Sequence, residues 1–395
     1  MNKKSQPIFI FILAFVVGLI AYVNWYGSDD DSIIIGATMS ETGSYSTQGI
    51  AARNGYKLCE EHLNNEGGIL GRTVEFRIYD DESDGDRAAE LYEQLITEEN
   101  VDAIMGPYGS TLTEAVAPVT ERHRMVHISP LAATTSIWEQ GREYLFMVLP
   151  PAELFLAGLI DMADERGLQN IAILSEGQLF PKAAADGSAE LAEERGMNVV
   201  MHESYESGTE DFMPYLETIR DEEVEVFAMA ASALDNFIAV VEQMEANDIN
   251  VQMFGTSGSV TRFRDELGDL SEYAYGLSAW EPSVPNPGAD EFTEAYINRF
   301  DMEPSFHAAG GYGSCQLFAE AAERAGSLDS DALREELLTL ETTTVFGDYA
   351  VDERGYQTAN DGLFIQWQDG EKVVVWPEEV ATHEPWYPTP AWSER

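Results

Sequence analysis

Apolar positions along this chain switch repeatedly between two periods, and the switches outline its architecture. Ile33-Ile34-Ile35 is a short apolar run, followed by the glycine- and hydroxyl-rich stretch 41–49 and then by residues 50–65 with helical spacing. Residues 74–81 alternate as a strand, and residues 86–97 return to helical spacing. Val101, Ala103, Ile104 and Met105 form a second apolar run, stopped by Gly106-Pro107; Met125 to Ile128 form a third, stopped by Ser129-Pro130. Between these two, Ser110 or Thr111 can cap a helix whose apolar side holds Leu112, Ala115, Val116 and Val119. Pro118 is expected to kink that helix or end it early, because it lacks a backbone donor and its ring crowds the preceding turn.

The second half repeats the pattern. Strands are expected at 170–174, 197–201, 224–229 and 252–255, with helices at 187–195 and 236–246. Helices at 290–300, 308–325 and 331–339 follow, and the apolar runs 346–349, 362–367 and 373–376 close the folded part. Strands alternating with helices predict an α/β fold of two lobes, each a doubly wound, largely parallel sheet, with a cleft between them. After Pro377 the chain is rich in Pro, Trp and Glu, and it is expected to track the surface.

In such sheets ligands collect beyond the carboxyl ends of the strands, where loops and helix N-termini lie. Two such loops carry Gly109-Ser110 and Ala132-Ala133-Thr134-Thr135. Hydroxyls beside free backbone N–H groups suit a small anion or carboxylate, which also gains from a helix dipole. Ser and Thr dominate caps and turns as well, so a purely structural role stays open for either loop.

Charge narrows the partners. Asp and Glu number 71 against 22 Lys and Arg, a formal net charge of −49. Nucleic-acid binding rests on clustered basic residues and is excluded on this balance. Lysine is confined to Lys3, Lys4, Lys57, Lys182 and Lys372, and the acids are spread over periodic segments. Such a surface is expected of a protein bathed in high salt, where screening over ~3 Å at 1 M removes most self-repulsion. Lys3-Lys4 followed by the apolar segment 7–25 reads as an export signal or, at roughly 18 apolar positions, as an uncleaved membrane anchor. Cys59 and Cys315 both fall in helical patterns; a bridge would require the helices to meet, and two buried free thiols are the expected state.

Enzymatic motifs are missing. Ser110 lies in Gly106-Pro107-Tyr108-Gly109-Ser110-Thr111 rather than a Gly-x-Ser-x-Gly elbow, and neither a phosphate-binding nor a dinucleotide-binding glycine loop is present. The histidines, at 62, 123, 127, 202, 307 and 383, show no metal-ligand spacing. No catalysis, cofactor or metal is expected.

A series of motifs in order carries a resemblance. Gly43, Gly49 and Asn54-Gly55 come first, then Asn65-Glu66-Gly67-Gly68-Ile69-Leu70-Gly71-Arg72, Tyr79-Asp80-Asp81-Glu82-Ser83, Gly106 to Ser110 and Ser129-Pro130. Tyr144 to Pro151, Gly208-Thr209-Glu210-Asp211-Phe212 and Tyr275 to Pro282 extend it over nearly the whole chain. Together they resemble the leucine/isoleucine/valine-binding family, the type I periplasmic solute-binding proteins of ABC importers. The resemblance implies three hinge crossings, near Pro150, Trp280 and Glu341, with residues 32–150 and 280–340 in lobe one and residues 151–279 and 341–376 in lobe two. It implies an extracytoplasmic monomer that closes on a small ligand and delivers it to permease subunits. The alternative is a membrane-tethered sensor, for which the six residues before the apolar segment leave little cytoplasmic chain.

For the site, the resemblance implies that Ser110 and the second loop, through Ala132 and Thr134, hold a ligand carboxylate, with Tyr45, Gln48 and Tyr108 nearby. From lobe two, Phe180 takes the place of an aromatic over the ligand, and Ser232 and Ser257 face the cleft. Ser257 stands where the family's acidic partner of a ligand ammonium is expected, with Glu281 or Asp235 as substitutes. An amide, a small carboxylate and a modified amino acid therefore stay open as ligands.

Overall fold

Continuous β-branched and aliphatic runs make strands that are buried on both faces, which helices on each side of a sheet require. The computed structural model describes residues 32–395 and shows two such sheets. The first is parallel throughout, in the order β2-β1-β3-β4-β5: β1 is Ile33–Met39, β2 Val74–Asp80, β3 Ala103–Met105, β4 His127–Ser129 and β5 Leu145–Met147. The second runs β14-β13-β10-β9-β8-β6-β7, with β6 Asn170–Glu176, β7 Asn198–Tyr205, β8 Val226–Ala230, β9 Met253–Thr256 and β10 Tyr275–Ser278 parallel to one another. Two late strands, β13 (Leu363–Gln368) and β14 (Glu371–Trp376), extend its edge in antiparallel fashion. The segment read as a signal or anchor lies outside the described residues, and among those described no helix is long and apolar enough to cross a membrane.

Several expectations need correction. The helix after β3 spans Ser110–Arg122 with Pro118 inside it and does not end early. Val116, Ala117, Val119 and Thr120, on both sides of the proline, are buried, so packing offsets the lost hydrogen bond. The helix expected at 187–195 begins at Leu179, because Pro181 falls in its first turn, where a missing N–H costs nothing.

Cys59 and Cys315 are disulfide-bonded rather than free, with Cα atoms 6.3 Å apart. They lie on Ser46–Glu66 and Phe306–Ala325, two helices whose backbones approach closely at glycines. A Cβ on Gly55 would fall 2.1 Å from the Ala308 carbonyl oxygen, and one on Gly311 2.5 Å from that of Ala52. Only glycine permits this approach, and the approach brings the thiols within bonding reach.

The ribbon β11 (Thr342–Thr344) and β12 (Gly347–Tyr349), expected with the second lobe, packs instead on the Phe306–Ala325 helix. Val345 N–H donates to Gln316 Oε1 at 3.0 Å, and Phe346 lies over Gly313. The tail lies along the second sheet's half: Trp386 exchanges hydrogen bonds with Gln366, and Trp392 Nε1 donates to the Ile249 carbonyl.

Candidate ligand-binding cleft

The loops that follow β1, β3, β4 and β5 face those that follow β6, β8 and β9 across a space of about 680 Å³, counting its open mouth. Gly109, at φ +78°, turns the chain sharply from β3 into the Ser110–Arg122 helix and offers no capping side chain. The helix therefore presents its first N–H groups at the cleft, with Ser110 as its first residue. Ser110 is buried, and its Oγ accepts from Ala133 N–H at 3.1 Å and from Thr134 N–H at 3.3 Å. With those contacts made, the hydroxyl has its own hydrogen left to donate, and an acceptor in the cleft is the partner it suits. Ala132 and Thr134 do not line the space; they lie behind Ser110, fully or almost fully buried, and Thr134 Oγ1 has no partner.

Tyr45, Gln48 and Tyr108 line the same half. The Tyr45 and Tyr108 rings pack 5.4 Å apart, and Tyr108 lies 5.7 Å from the His307 ring. From the other half come Phe180, tilted edge-on against Phe155 at 4.9 Å, and also Ser232, Phe237 and Ser257. Hydrogen bonds cross between the halves: Gln48 Nε2 donates to the Ser232 carbonyl at 3.2 Å, Tyr108 OH to the same oxygen at 3.5 Å, and Arg262 Nη1 to Thr47 Oγ1 at 3.2 Å. Ser257 lines the cleft, but its Oγ accepts from Ala231 N–H and donates back to the Ala231 carbonyl, which commits the hydroxyl to the neighbouring loop after β8.

Among the described residues, no Asp, Glu, Lys or Arg lines the cleft. His307 is pushed down to about 3 by burial, with Lys372 adding to the effect, so it is neutral at physiological pH. Burial, and then the Glu176 carboxylate, pushes the Tyr45 phenol up to about 12 and keeps it a donor. Glu176 ends β6 behind the lining, almost fully buried; its Oε2 accepts from Ser232 N–H at 2.9 Å and its Oε1 from Ser207 Oγ at 2.7 Å.

Glu281 is corrected as a contact: it is not in the lining and forms a buried ion pair with Lys372 at 2.8 Å. Asp235 is exposed and pairs with Arg262 at 2.9 Å. Neither carboxylate is available to a ligand ammonium, since each already has a cation. Phe155, Phe237, Phe306, His307 and Glu176 escaped the sequence reading. Phe306-His307 opens a helix directly after Pro304-Ser305, a local start signal, but nothing local says that this helix start meets the cleft.

Residues 32–372 match the family model described as "Periplasmic binding protein". The chain belongs to the periplasmic binding protein family. As a member it is an extracytoplasmic, ligand-binding protein rather than an enzyme. Among curated relatives, "Leu/Ile/Val-binding protein homolog 7" of Brucella suis is 23% identical over 373 residues, covering 89% of this chain and 93% of the relative. Among solved structures, the branched-chain amino acid transporter substrate-binding protein LivJ of Streptococcus pneumoniae, in complex with isoleucine, matches with a TM-score of 0.80 at 23% identity, over 88% of this chain and all of that one. A solute-binding protein of an ABC transporter from Rhodopseudomonas palustris, in complex with 3,4-dihydroxybenzoic acid, matches with a TM-score of 0.77 at 20% identity, over 93% of this chain and 100% of that one. The type I two-lobed fold expected of this family is thus the fold of the chain.

Proposed function

We propose that the cleft binds a small carboxylate with an apolar, aromatic or branched body and delivers it to the permease subunits of an ABC importer. The observation that carries this reading is the polarity of the cleft: Ser110 and a helix N-terminus stand at one end, Phe155, Phe180, Phe237 and Phe306 supply the walls, and no charged side chain faces the space. Neutral donors at a helix start hold a carboxylate, while the phenylalanines bury its body. In this reading Ser110, Tyr45, Gln48, Tyr108, Phe180 and Ser232 touch the ligand; Ala132 and Thr134 support Ser110 through their loop, and Ser257 holds the loop after β8. Lobe one is residues 32–150 with 280–340, hinged to lobe two near Pro150 and Trp280; the third crossing, expected near Glu341, comes after the ribbon 342–349, which packs on lobe one. The protein acts as a monomer, with residues 1–31 serving as signal or anchor and the acidic surface suiting a saline medium.

Because no cleft carboxylate is free for an ammonium, zwitterionic amino acids are disfavoured against carboxylates of the same body. Calorimetry with benzoate, 4-hydroxybenzoate, 4-methylpentanoate, leucine and leucinamide tests this. Carboxylates without an ammonium should bind and leucinamide should not. Binding of leucine alone would refute the reading.

A further inference from the structure

Gln48 carries an unanswered hydrogen-bonding group at the centre of the cleft. Its Nε2 donates to the Ser232 carbonyl across the two halves, and a carbonyl oxygen can be met only by the NH₂ end, so the amide cannot be reversed. Its Oε1 is thereby fixed, buried and without a partner, on a residue only 6% exposed that lines the ligand space. The bond to Ser232 exists only when the halves are together, so closure is the step that strips water from Oε1. An acceptor dehydrated and left unpaired is costly, and a ligand that supplies a donor offsets that cost at the moment of closing.

We infer that the ligand carries, besides the carboxylate that faces Ser110, a neutral hydroxyl or amide donor that meets Gln48 Oε1, and that Gln48 selects for it. This rests on the reading of the cleft as a carboxylate site. The donor is neutral rather than an ammonium because the lining around Gln48 consists of Tyr45, Tyr108, neutral His307 and serines, and the nearby Glu176 carboxylate lies behind it with its oxygens taken by Ser232 N–H and Ser207 Oγ. Hydroxylated aromatic carboxylates and 2-hydroxy acids with branched bodies are the classes that satisfy both ends.

The test uses matched pairs in calorimetry at neutral pH: benzoate against 3- and 4-hydroxybenzoate, and 4-methylpentanoate against 2-hydroxy-4-methylpentanoate, with leucine as the ammonium arm. The native protein should bind the hydroxylated member of a pair about tenfold tighter. In Gln48→Leu every affinity should fall through loss of the Ser232 contact, but the ratio within the pair should drop to near one. Gln48→Met, which keeps the length of the side chain but lacks the acceptor, should lose the preference as Gln48→Leu does and guards against a Leu variant that fails to fold. Equal binding within every pair, an unchanged ratio in Gln48→Leu, or a preference for leucine over its hydroxy analogue would overturn the inference and leave the cleft as a binding site. Failure of every compound to bind would overturn the carboxylate reading and the inference together.

Discussion

Removing a single oxygen, in Ser110→Ala, should affect the protein in two separable ways. In the ligand-free molecule Ser110 Oγ is the acceptor for two backbone N–H groups, those of Ala133 and Thr134, on a residue 2% exposed. Losing that acceptor strands both donors unless a water takes the vacated place beside the cleft, a cost of about 1–3 kcal/mol. For a chain of this size that is a fall in melting temperature of roughly 1–4 °C. A merely exposed serine would show no such fall. In the complex, the variant also loses the O–H donated to the ligand carboxylate, a charge-assisted bond of about 1.5–3 kcal/mol, or roughly 10- to 100-fold in affinity. Differential scanning calorimetry without ligand reads the first effect, and titration calorimetry with the tightest-binding carboxylate reads the second. A variant that melts lower yet binds as tightly as the parent would show that the hydroxyl serves only its loop, and the carboxylate would have to be placed elsewhere. An unchanged melting temperature would show that the loop is not tethered by Ser110 at all.

Three further outcomes follow from the same structure. Spread over the surface, a net charge of −49 should make the melting temperature rise from low to molar salt as the screening length shrinks from ~10 Å at 0.1 M to ~3 Å at 1 M; a flat or falling curve would refute adaptation to a saline medium. Cys59→Ser opens a loop closed across 256 residues of sequence, for which chain entropy gives a loss of up to about 5 kcal/mol, read by chemical denaturation; ligand affinity should be unchanged because neither cysteine lines the cleft. His127 and His307 are both buried and pushed down to about 3, whereas in the unfolded chain they take up protons near 6.5. Their folded pKa is depressed, so the contribution is complete above pH 6.5 and is lost as pH falls toward 3, by up to about 1.4 kcal/mol per unit for each histidine. Melting temperatures at molar salt between pH 6.5 and 5 should show this slope and a shallower one in His127→Asn; a level profile would refute it.

What the sequence by itself determined is what local chemistry encodes. Apolar runs such as Ile33 to Ile35 and the stops at Gly106-Pro107 and Ser129-Pro130 set strand ends, and strand ends in a parallel sheet are where ligands bind. Ser110 is therefore reachable from order and spacing, and the motif series reaches the family, whose resemblance alone points to Tyr45, Gln48 and Phe180. The tertiary structure alone decided how side chains far apart in sequence answer one another. Glu281 is a plausible cleft carboxylate until Lys372, on a late strand, is found against it. Ser257 could face a ligand or a neighbouring loop, and Ala231, in the loop after β8, takes both hydrogen bonds of its hydroxyl. The thiols of Cys59 and Cys315 could be free or joined, and the glycine-lined contact between their helices joins them. Whether Gln48 Oε1 is wet or stranded depends on the Ser232 carbonyl, which accepts from Nε2 of the same amide across the cleft. The physical reason is common to all four: a polar group's role is set by the partner that satisfies it, and periodicity places backbones without saying which distant atoms will meet.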